Sequence, residues 1–348
     1  MNRKIDKVID RMINIGAGAL DESCPISIID INKWEWAQGV GLYGMYRYYE
    51  VSGDKSLLDF MRKWYDKRIS EGLPEKCVNT IAPLLPLTYI HGNKKEYLDL
   101  MYEWADWLYR EHPRTLEGGI THTVSGVSLT GQLWDDTLFM AVLFLARAGI
   151  IFNKKEWLDE TKKQFLVHLK YLTDKKTGLM FHGWSFERRD HFSAALWGRG
   201  NCWLTVGIPD YIDIMEGHLE GFVKDMLVSA YAMQVEALKD CQEETGEWHT
   251  LLDDKTSYIE ISATAGFCYG IYKGVRKGYI GKEYLPTARR ALDAVIRNIA
   301  EDGTVLNVSY GTGICKTLKE YKEIEITPMT YGQALAVLCM SESMNAQN

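Results

Sequence analysis

The sequence lacks the features of a disulfide-rich, zinc-binding, secreted or membrane-spanning protein. Its seven cysteines are scattered and include no C-x-x-C pair, which argues against a disulfide framework and a zinc site and for a reducing compartment. The amphipathic start MNRKIDKVIDRMINIGAG has no unbroken apolar core of the kind that a secretory signal needs. No apolar run approaches the roughly 20 residues that span a bilayer, so we expect a cytoplasmic protein.

Concentrated basic charge and the common cofactor motifs are also missing. The formal net charge is −7, and Lys and Arg are spread along the chain, so neither a nucleic acid nor a membrane surface is an expected partner. No H-E-x-x-H, calcium loop or G-x-S-x-G motif occurs, and the fragment GTGI lacks the strand, the lysine and the spacing of a phosphate-binding loop. We therefore expect acid/base chemistry on a carbohydrate, without a metal or a cofactor.

What the chain does contain is an excess of aromatic residues, with 11 Trp and 20 Tyr. Large amphipathic rings serve either an extensive core or a binding cleft. In a sugar-binding cleft, the face of an indole ring receives the apolar face of the sugar. The positions of these rings and of the carboxylates near them decide between the two uses.

Helical periodicity fills most of the chain, and strand signals are sparse. Six strongly apolar segments rich in small residues alternate with helices that carry apolar residues at i, i+3, i+4 and i+7, the pattern of a helix buried on one side. The six apolar segments begin near Trp36, Ala82, Trp134, Trp197, Ser262 and Tyr331. An inner ring of fully buried helices, surrounded by an outer ring of helices that are buried on one side only, accounts for this alternation.

We therefore predict an all-α protein, an (α/α)6 barrel that forms a single catalytic domain over residues 1–348. A linear superhelix of helix pairs is the competing architecture. The ring is favoured because no polar capping repeat is present and because long loops, such as 114–133, 177–196 and 247–261, precede the inner helices. Long loops on one rim, above a central pocket, are the expected place for a binding site.

Two adjacent carboxylates occupy this rim in the segment WDDTLFM, at Asp135 and Asp136. Aspartate at the start of a helix often does no more than cap free backbone N–H groups. Because neighbouring helical positions point about 100° apart, we expect at most one of the two carboxylates to face the cavity squarely. One carboxylate would then react while the other caps or supports it.

The segment WGRGNCW on the next inner helix places an arginine between two indole rings, at Trp197, Arg199 and Trp203. A guanidinium binds a carboxylate through two hydrogen bonds, and indole faces accept sugars. The alternative is an arginine that holds the loops together. His182 in FHGW precedes this segment, and His122 in GGITHT is a weaker candidate, since a lone histidine is usually structural.

The other rims carry further polar and aromatic side chains, each a weak signal alone. They are Trp34, Glu35, Trp36 and Gln38 on the first rim, Asn79 and Thr80 on the second, Tyr258, Glu260, Ser262 and Thr264 on the fifth, and Ser309 to Gly313 on the last. Ser262 and Thr264 also suit the N-cap region of the fifth inner helix.

Several of these segments resemble one enzyme family. WDDTLFMAVLFLARAG, HGW, WGRGNCWLTVGIPDYI and YIEISATAGFCYGIYKG are similar to segments of the unsaturated rhamnogalacturonyl hydrolases, glycoside hydrolase family 105. The family motif reads W-x-D-[TG]-[LI]-[FY]-M, followed by H-G-W and W-x-R-x-N-x-W. The resemblance implies the (α/α)6 fold and places the catalytic aspartate at Asp136, whereas Asp135 falls on a variable position.

The resemblance also implies which residues bind the substrate. Four residues match family pocket residues by motif, namely His182, Trp197, Arg199 and Trp203. Of these, Arg199 is the candidate to bind the uronate carboxylate. The rims add three further expected substrate contacts, Trp36, Asn79 and Trp134. Some related enzymes carry a second aspartate near the second rim, where this chain has Asn79 instead.

The substrate implied by the resemblance is unsaturated galacturonyl-rhamnose, a small oligosaccharide left by a polysaccharide lyase, whose terminal ring carries a C4=C5 double bond. One aspartic acid protonates C4, water activated by the same group adds at C5, and the hemiketal opens to release the neighbouring sugar. Such an acid benefits from a pKa raised by burial near apolar rings such as Trp134. We expect a monomer or a small homo-oligomer.

Three other functions remain open at this point. An inverting glycosidase acting on saturated oligosaccharides needs a second carboxylate across the cavity, for which Glu35 and Glu260 are candidates. A sugar 2-epimerase would use a histidine pair, here His122 and His182. A non-catalytic helical scaffold would have little reason to gather Trp, His, Arg and Asp on one rim.

Overall fold

The computed structural model describes residues 1–14, 29–124 and 129–346, whose regular secondary structure is almost entirely helical. The α-helices are α1 (Asn2–Asn14), α2 (Trp36–Ser52), α3 (Lys55–Glu71), α4 (Val78–Ile81), α5 (Leu84–Ile90), α6 (Lys95–Arg110), α7 (Leu143–Ile151), α8 (Lys155–Leu172), α9 (Gly198–Ile214), α10 (Gly221–Cys241), α11 (Ile261–Arg276), α12 (Leu285–Arg297), α13 (Leu318–Lys322) and α14 (Thr330–Asn345). The other elements are a π-helical turn (Leu138–Val142), a 3₁₀ turn (Lys282–Tyr284), and the strands β1 (Gln132–Trp134) and β2 (Gly183–Ser185).

Six helices form an inner ring, namely α2, α5, α7, α9, α11 and α14. Each of them packs against the next, and α14 packs back against α2, which closes the ring. These helices are buried on nearly every side; in α9, all residues of 198–212 are buried. Closure of the ring rules out the linear superhelix and confirms the predicted (α/α)6 barrel.

Six further helices cover the ring from outside. Helix α1 packs on α14, α3 on α2, α6 on α5 and α7, α8 on α7, α10 on α9, and α12 on α11. Their burial is one-sided, as predicted from the spacing of their apolar residues. In α6 the buried residues are Tyr97, Leu100, Met101, Trp104, Ala105 and Leu108. Each large apolar side chain buried in this way stabilises the fold by about 1.5–3 kcal/mol.

Small residues allow the inner helices to approach one another closely. A Cβ on Gly39 in α2 would clash with the backbone of Ala82 and Pro83. A Cβ on Gly270 in α11 would clash with the backbone of Thr205 in α9. The abundance of small residues in the inner segments therefore follows from the tight packing of the ring.

The long connections gather at one end of the barrel. Connections that follow inner helices are short, for example 53–54, 91–94 and 152–154, whereas those that precede them are longer. The strands β1 and β2, which the sequence did not predict, pair antiparallel within two of the long loops. Residues 125–128 of the predicted loop 114–133 lie outside the described residues.

Within the described part of the chain, no helix is both long and apolar enough to cross a membrane. Residues 15–18 of the predicted N-terminal helix and Cys24 lie outside the described residues. The described cysteines all carry free thiols, and most of them are buried in the core. They are Cys77, Cys202, Cys241, Cys268, Cys315 and Cys339.

Candidate active site

A cavity of about 410 Å³ opens among the long loops, and this volume is typical of small-molecule sites. Four of the predicted site residues lie in its wall, namely Trp36, Asn79, Trp134 and Asp136. Further lining residues include Lys33, Glu35, Gln38, His122, Met140 and the loop 311–313. The cavity therefore lies at the rim where the sequence predicted a binding site.

Asp136 reaches the cavity because of the structure on both sides of it. The strand β1 ends directly before the two aspartates, and the Asp135 N–H donates to the carbonyl oxygen of His182, next to β2, at 3.1 Å. The chain then enters the π-helical turn 138–142, a rare form that is frequent at functional sites. The two aspartates are thus held between a strand pair and the start of an inner helix.

His182 is buried directly behind Asp136. Its Nε2 lies 3.6 Å from Oδ2 of Asp136, and its Nδ1 lies 2.5 Å from the hydroxyl oxygen of Tyr321 in α13. Burial lowers the pKa of His182 and raises the pKa of Tyr321, so both groups are neutral near pH 7. An imidazole that accepts the Tyr321 O–H at Nδ1 carries its own proton on Nε2, which faces Asp136.

Asp135 points away from the cavity, into the wall of the barrel. Its side chain is fully buried, and its Oδ2 lies so close to the backbone of Gly200 in α9 that a Cβ on Gly200 would clash with it. Neither carboxylate oxygen accepts a hydrogen bond from a donor among the described residues. The expectation that at most one aspartate faces the cavity squarely is therefore confirmed.

The two carboxyl groups differ in proton affinity. Burial raises the pKa of Asp135 well above its ordinary value, and the charge of Asp136 adds to this shift. Burial acts on Asp136 in the same direction, but His182, His122 and the Asp135 carboxyl outweigh it and lower the pKa of Asp136. The prediction of a raised pKa was wrong for Asp136 and describes Asp135.

Trp134 and His122 form a flat part of the cavity wall. Their rings stack with centroids 4.4 Å apart and planes 2° apart. The indole N–H of Trp134 donates to Oε1 of Gln132 at 2.9 Å, and Nδ1 of His122 lies 2.9 Å from Oγ1 of Thr137. Burial lowers the pKa of His122 to about 4. This part of the wall is therefore uncharged near pH 7, which suits the apolar face of a sugar ring.

Three of the predicted substrate contacts lie behind the cavity wall. Trp203 is fully buried and packs edge-on against Trp36, with ring centroids 6.1 Å apart. Trp197 packs on His182 with centroids 4.2 Å apart, and each is 1% exposed. In this structure they support Trp36 and Asp136, which do line the cavity. Their direct contact with the substrate stays a prediction.

Arg199 is also buried behind the wall, at 1% exposed. Its guanidinium donates to Oγ of Ser309 at 2.5 Å, to the carbonyl oxygens of Ser309 and Tyr310 at 3.1 and 3.0 Å, and to Oγ1 of Thr312 at 3.1 Å. It also lies 3.6 Å from the Glu260 carboxylate. These donors hold the loop that lines the cavity, and the bond of Arg199 to a substrate carboxylate stays a prediction.

Two of the alternative functions lose a residue that they need in the cavity. Glu260 is fully buried and caps α11 by accepting a hydrogen bond from the Ala263 N–H at 2.6 Å. Of the histidine pair that an epimerase would use, His122 lines the cavity but His182 does not. Glu35 does lie in the wall, so it remains the second carboxylate of an inverting glycosidase.

Some residues of the site were not predicted from the sequence. Lys33 lines the cavity, and its only sequence signal is its place beside the aromatic segment of the first rim. Tyr321 supports His182 from a position 139 residues later in the chain, and no local pattern identifies it. Contacts of this kind between distant loops follow only from closure of the ring.

The side chains of Asp135, Asp136 and His182 form a group that offers oxygen and nitrogen atoms within 4.8 Å of one another, as a metal ion would need. Metal ligands must be deprotonated, and the raised pKa of Asp135 opposes this. We therefore expect that removal of metal ions with EDTA leaves kcat and KM unchanged. Loss of activity that a divalent cation restores would contradict this expectation.

Comparisons with known proteins find similarity along nearly the whole chain. The family model described as Glycosyl Hydrolase Family 88 matches residues 5–347. The chain is 30% identical over 319 residues to the unsaturated rhamnogalacturonyl hydrolase YesR of Bacillus subtilis, covering 90% of each. It is 26% identical over 327 residues to an unsaturated 3S-rhamnoglycuronyl hydrolase of an Alteromonas species, covering 89% of this chain and 77% of that protein.

A solved structure supports the same assignment. The crystal structure of a protein from Salmonella enterica, described as a possible member of glycoside hydrolase family 105, is similar to this chain with a TM-score of 0.95. The two sequences are 41% identical, and the similarity covers 100% of this chain and 94% of that one.

Proposed function

The chain belongs to Glycosyl Hydrolase Family 88, and from this premise we propose that it hydrolyses an unsaturated uronyl residue from the end of a small oligosaccharide. The resemblance to the unsaturated rhamnogalacturonyl hydrolases is confirmed, and the chain is a glycosidase. The proposed substrate is unsaturated galacturonyl-rhamnose, a fragment of rhamnogalacturonan left by a lyase. The observation that carries this proposal is the Asp136 carboxyl in the wall of the cavity.

The proposed reaction is hydration of a vinyl ether. The C4=C5 double bond adjoins the ring oxygen, so protonation of C4 by Asp136 creates an oxocarbenium ion at C5 that the ring oxygen stabilises. Water adds to C5 and gives its proton to the Asp136 carboxylate, which restores the acid. The hemiketal opens and releases the next sugar. Because one carboxyl group serves both steps, a second one about 5–9 Å away, as in ordinary glycosidases, is not needed.

The cavity wall supplies groups that complement such a substrate. Trp134 and Trp36 offer indole faces, and Trp36 is itself braced by stacking on Tyr331 with ring centroids 4.6 Å apart. Lys33 brings a positive charge to the wall and is our candidate to bind the uronate carboxylate. Asn79 offers an amide for hydrogen bonds with hydroxyl groups.

An inverting glycosidase that acts on saturated oligosaccharides is the second candidate. It is favoured by one observation, the presence of Glu35 in the same wall as Asp136. The Glu35 side chain is already engaged, however, because it accepts a hydrogen bond from the Trp36 N–H at 2.9 Å and caps α2. This capping makes Glu35 a poor base for water.

A pair of matched disaccharides separates the two candidates. We expect unsaturated galacturonyl-rhamnose to lose the absorbance of its conjugated double bond and to release rhamnose. We expect the saturated disaccharide to remain intact, because it has no alkene to protonate. Hydrolysis of both disaccharides at similar rates would contradict the proposal and favour the inverting glycosidase.

We also propose a cytoplasmic location and a monomeric or small homo-oligomeric state, with neither nucleic acid nor membrane as partner. The free thiols of the described cysteines suit a reducing compartment. The formal net charge of −7 opposes binding to polyanions.

A further inference from the structure

We propose that Asp135 stores the proton that Asp136 delivers to the substrate, so that the two carboxyl groups act as a pair that shares one proton. This inference rests on the proposed function, because it concerns the acid step of that reaction. A general acid must carry a proton when the substrate arrives. The surroundings of Asp136 favour its ionised form, so the proton has to be held nearby.

The geometry around Asp135 favours a protonated carboxyl. The side chain is 0% exposed, and neither of its oxygens accepts a hydrogen bond from a described donor. A buried carboxylate without a donor or a cation is costly. A protonated Asp135 can instead donate its O–H to the Asp136 carboxylate, because the two carboxyl groups offer oxygen atoms within 4.8 Å of one another. Such a bond to an ionised acceptor is strong.

The other ionisable groups that face the pair do not exchange protons with it near pH 7. They are His122, His182, Cys202 and Tyr321. Burial lowers the pKa of both histidines and raises the pKa of the thiol and the phenol, so all four groups are neutral. The nearby charge of Arg199 is paired with Glu260. The transferable proton at this site is therefore that of the aspartate pair.

One proton is sufficient for the whole reaction. The O–H bond of Asp135 breaks as its proton moves to Asp136, and Asp136 passes the proton to C4, where the π electrons of the alkene form the new C–H bond. Water forms the C5–O bond, its proton goes to Asp136, and this proton returns to Asp135. The pair holds one proton before and after turnover, as in other sites where two carboxylates share a proton.

The pair predicts an unusual pH dependence. Because the pKa of Asp136 is lowered and the pKa of Asp135 is raised, the pair keeps one proton over a wide pH range. We expect kcat/KM to stay constant over this range and to fall only when the pair loses its last proton. Without Asp135, the ionised Asp136 would need a proton from the solvent, and its protonated fraction falls about tenfold for each pH unit above its pKa.

The substitution Asp135→Asn tests this prediction, because asparagine keeps the shape and a hydrogen-bond donor but has no transferable proton. For the variant we expect log(kcat/KM) to fall with a slope of about −1 against pH, and a loss of at least about 100-fold near pH 7. Glu187→Gln, which removes an exposed carboxyl just after β2, is the matched control and should keep the wild-type profile. An Asp135→Asn variant with the wild-type profile would overturn the inference.

Infrared spectroscopy locates the proton without reference to activity. Near pH 7 and without substrate, the wild type and Asp136→Asn should show the C=O stretch of a protonated buried carboxyl, and Asp135→Asn should lack it. Absence of this band from the wild type would mean that Asp135 is ionised and only stabilises the positive end of α9, which overturns the inference. A wild type that shows the band but leaves unsaturated galacturonyl-rhamnose intact would contradict the proposed function instead.

Discussion

Replacing Asp136 with asparagine is expected to lower kcat by about 10⁴-fold, the upper end for general acid–base catalysis, because one carboxyl group provides both the acid and the base step. The amide cannot protonate C4 or accept a proton from water. The carboxyl lies in the cavity wall, 3.6 Å from His182, and asparagine has nearly the same size, so the fold should be retained. Steady-state kinetics on unsaturated galacturonyl-rhamnose measures the effect.

Circular dichroism and the melting temperature show whether the Asp136→Asn variant is folded. Asp190→Asn is a suitable control, because it removes a half-exposed carboxyl from the loop after β2 without touching the cavity wall. The control should keep the wild-type kcat. A folded Asp136→Asn variant with near-native kcat would rule out the proposed mechanism.

Replacing Arg199 with methionine is expected to lower the free energy of unfolding by about 3–5 kcal/mol, the usual effect of removing one partner of a buried ion pair. The change leaves the Glu260 carboxylate buried without its cation and removes the hydrogen bonds to Ser309, Tyr310 and Thr312. Because these bonds hold a loop of the cavity wall, KM should rise as well. Urea denaturation and steady-state kinetics measure the two effects.

The control for Arg199→Met is a substitution in an exposed ion pair. Lys95 and Asp99 lie 2.5 Å apart on the surface of α6 and are 86% and 64% exposed, so Lys95→Met should leave the denaturation midpoint almost unchanged. If Arg199→Met were as stable as Lys95→Met, the guanidinium would not hold the loop as described. Its prediction as a substrate-binding residue would then gain support.

The inner and outer rings were predictable because they depend on local patterns. A helix buried on one side has a 3.6-residue apolar period, and a helix buried on all sides has small and apolar residues throughout. Both patterns can be read from the sequence, as in α6 and α9. Six alternations of the two kinds predict a closed ring without knowledge of any contact between helices.

The direction of each polar side chain at the rim was less predictable. Arg199 lies in the expected segment, but its orientation depends on Ser309 and Thr312, more than a hundred residues later in the chain. The strand pair and the π-helical turn 138–142 that orient Asp136 have no local signature. A motif therefore identified residues that lie in or behind the cavity wall, but not which of them face the cavity.

The sequence by itself determined the alternation of helices, the rim that carries the site and the aspartate in its wall, because periodicity and motif are properties of neighbouring residues. Tertiary structure alone decided that Asp135 is buried against α9, that Tyr321 meets His182 and that Lys33 enters the wall. These contacts join segments far apart in the chain. The energy of a buried charge depends on everything that surrounds it. The ionisation states of Asp135 and Asp136 therefore follow from the closed ring and not from their adjacency in the sequence.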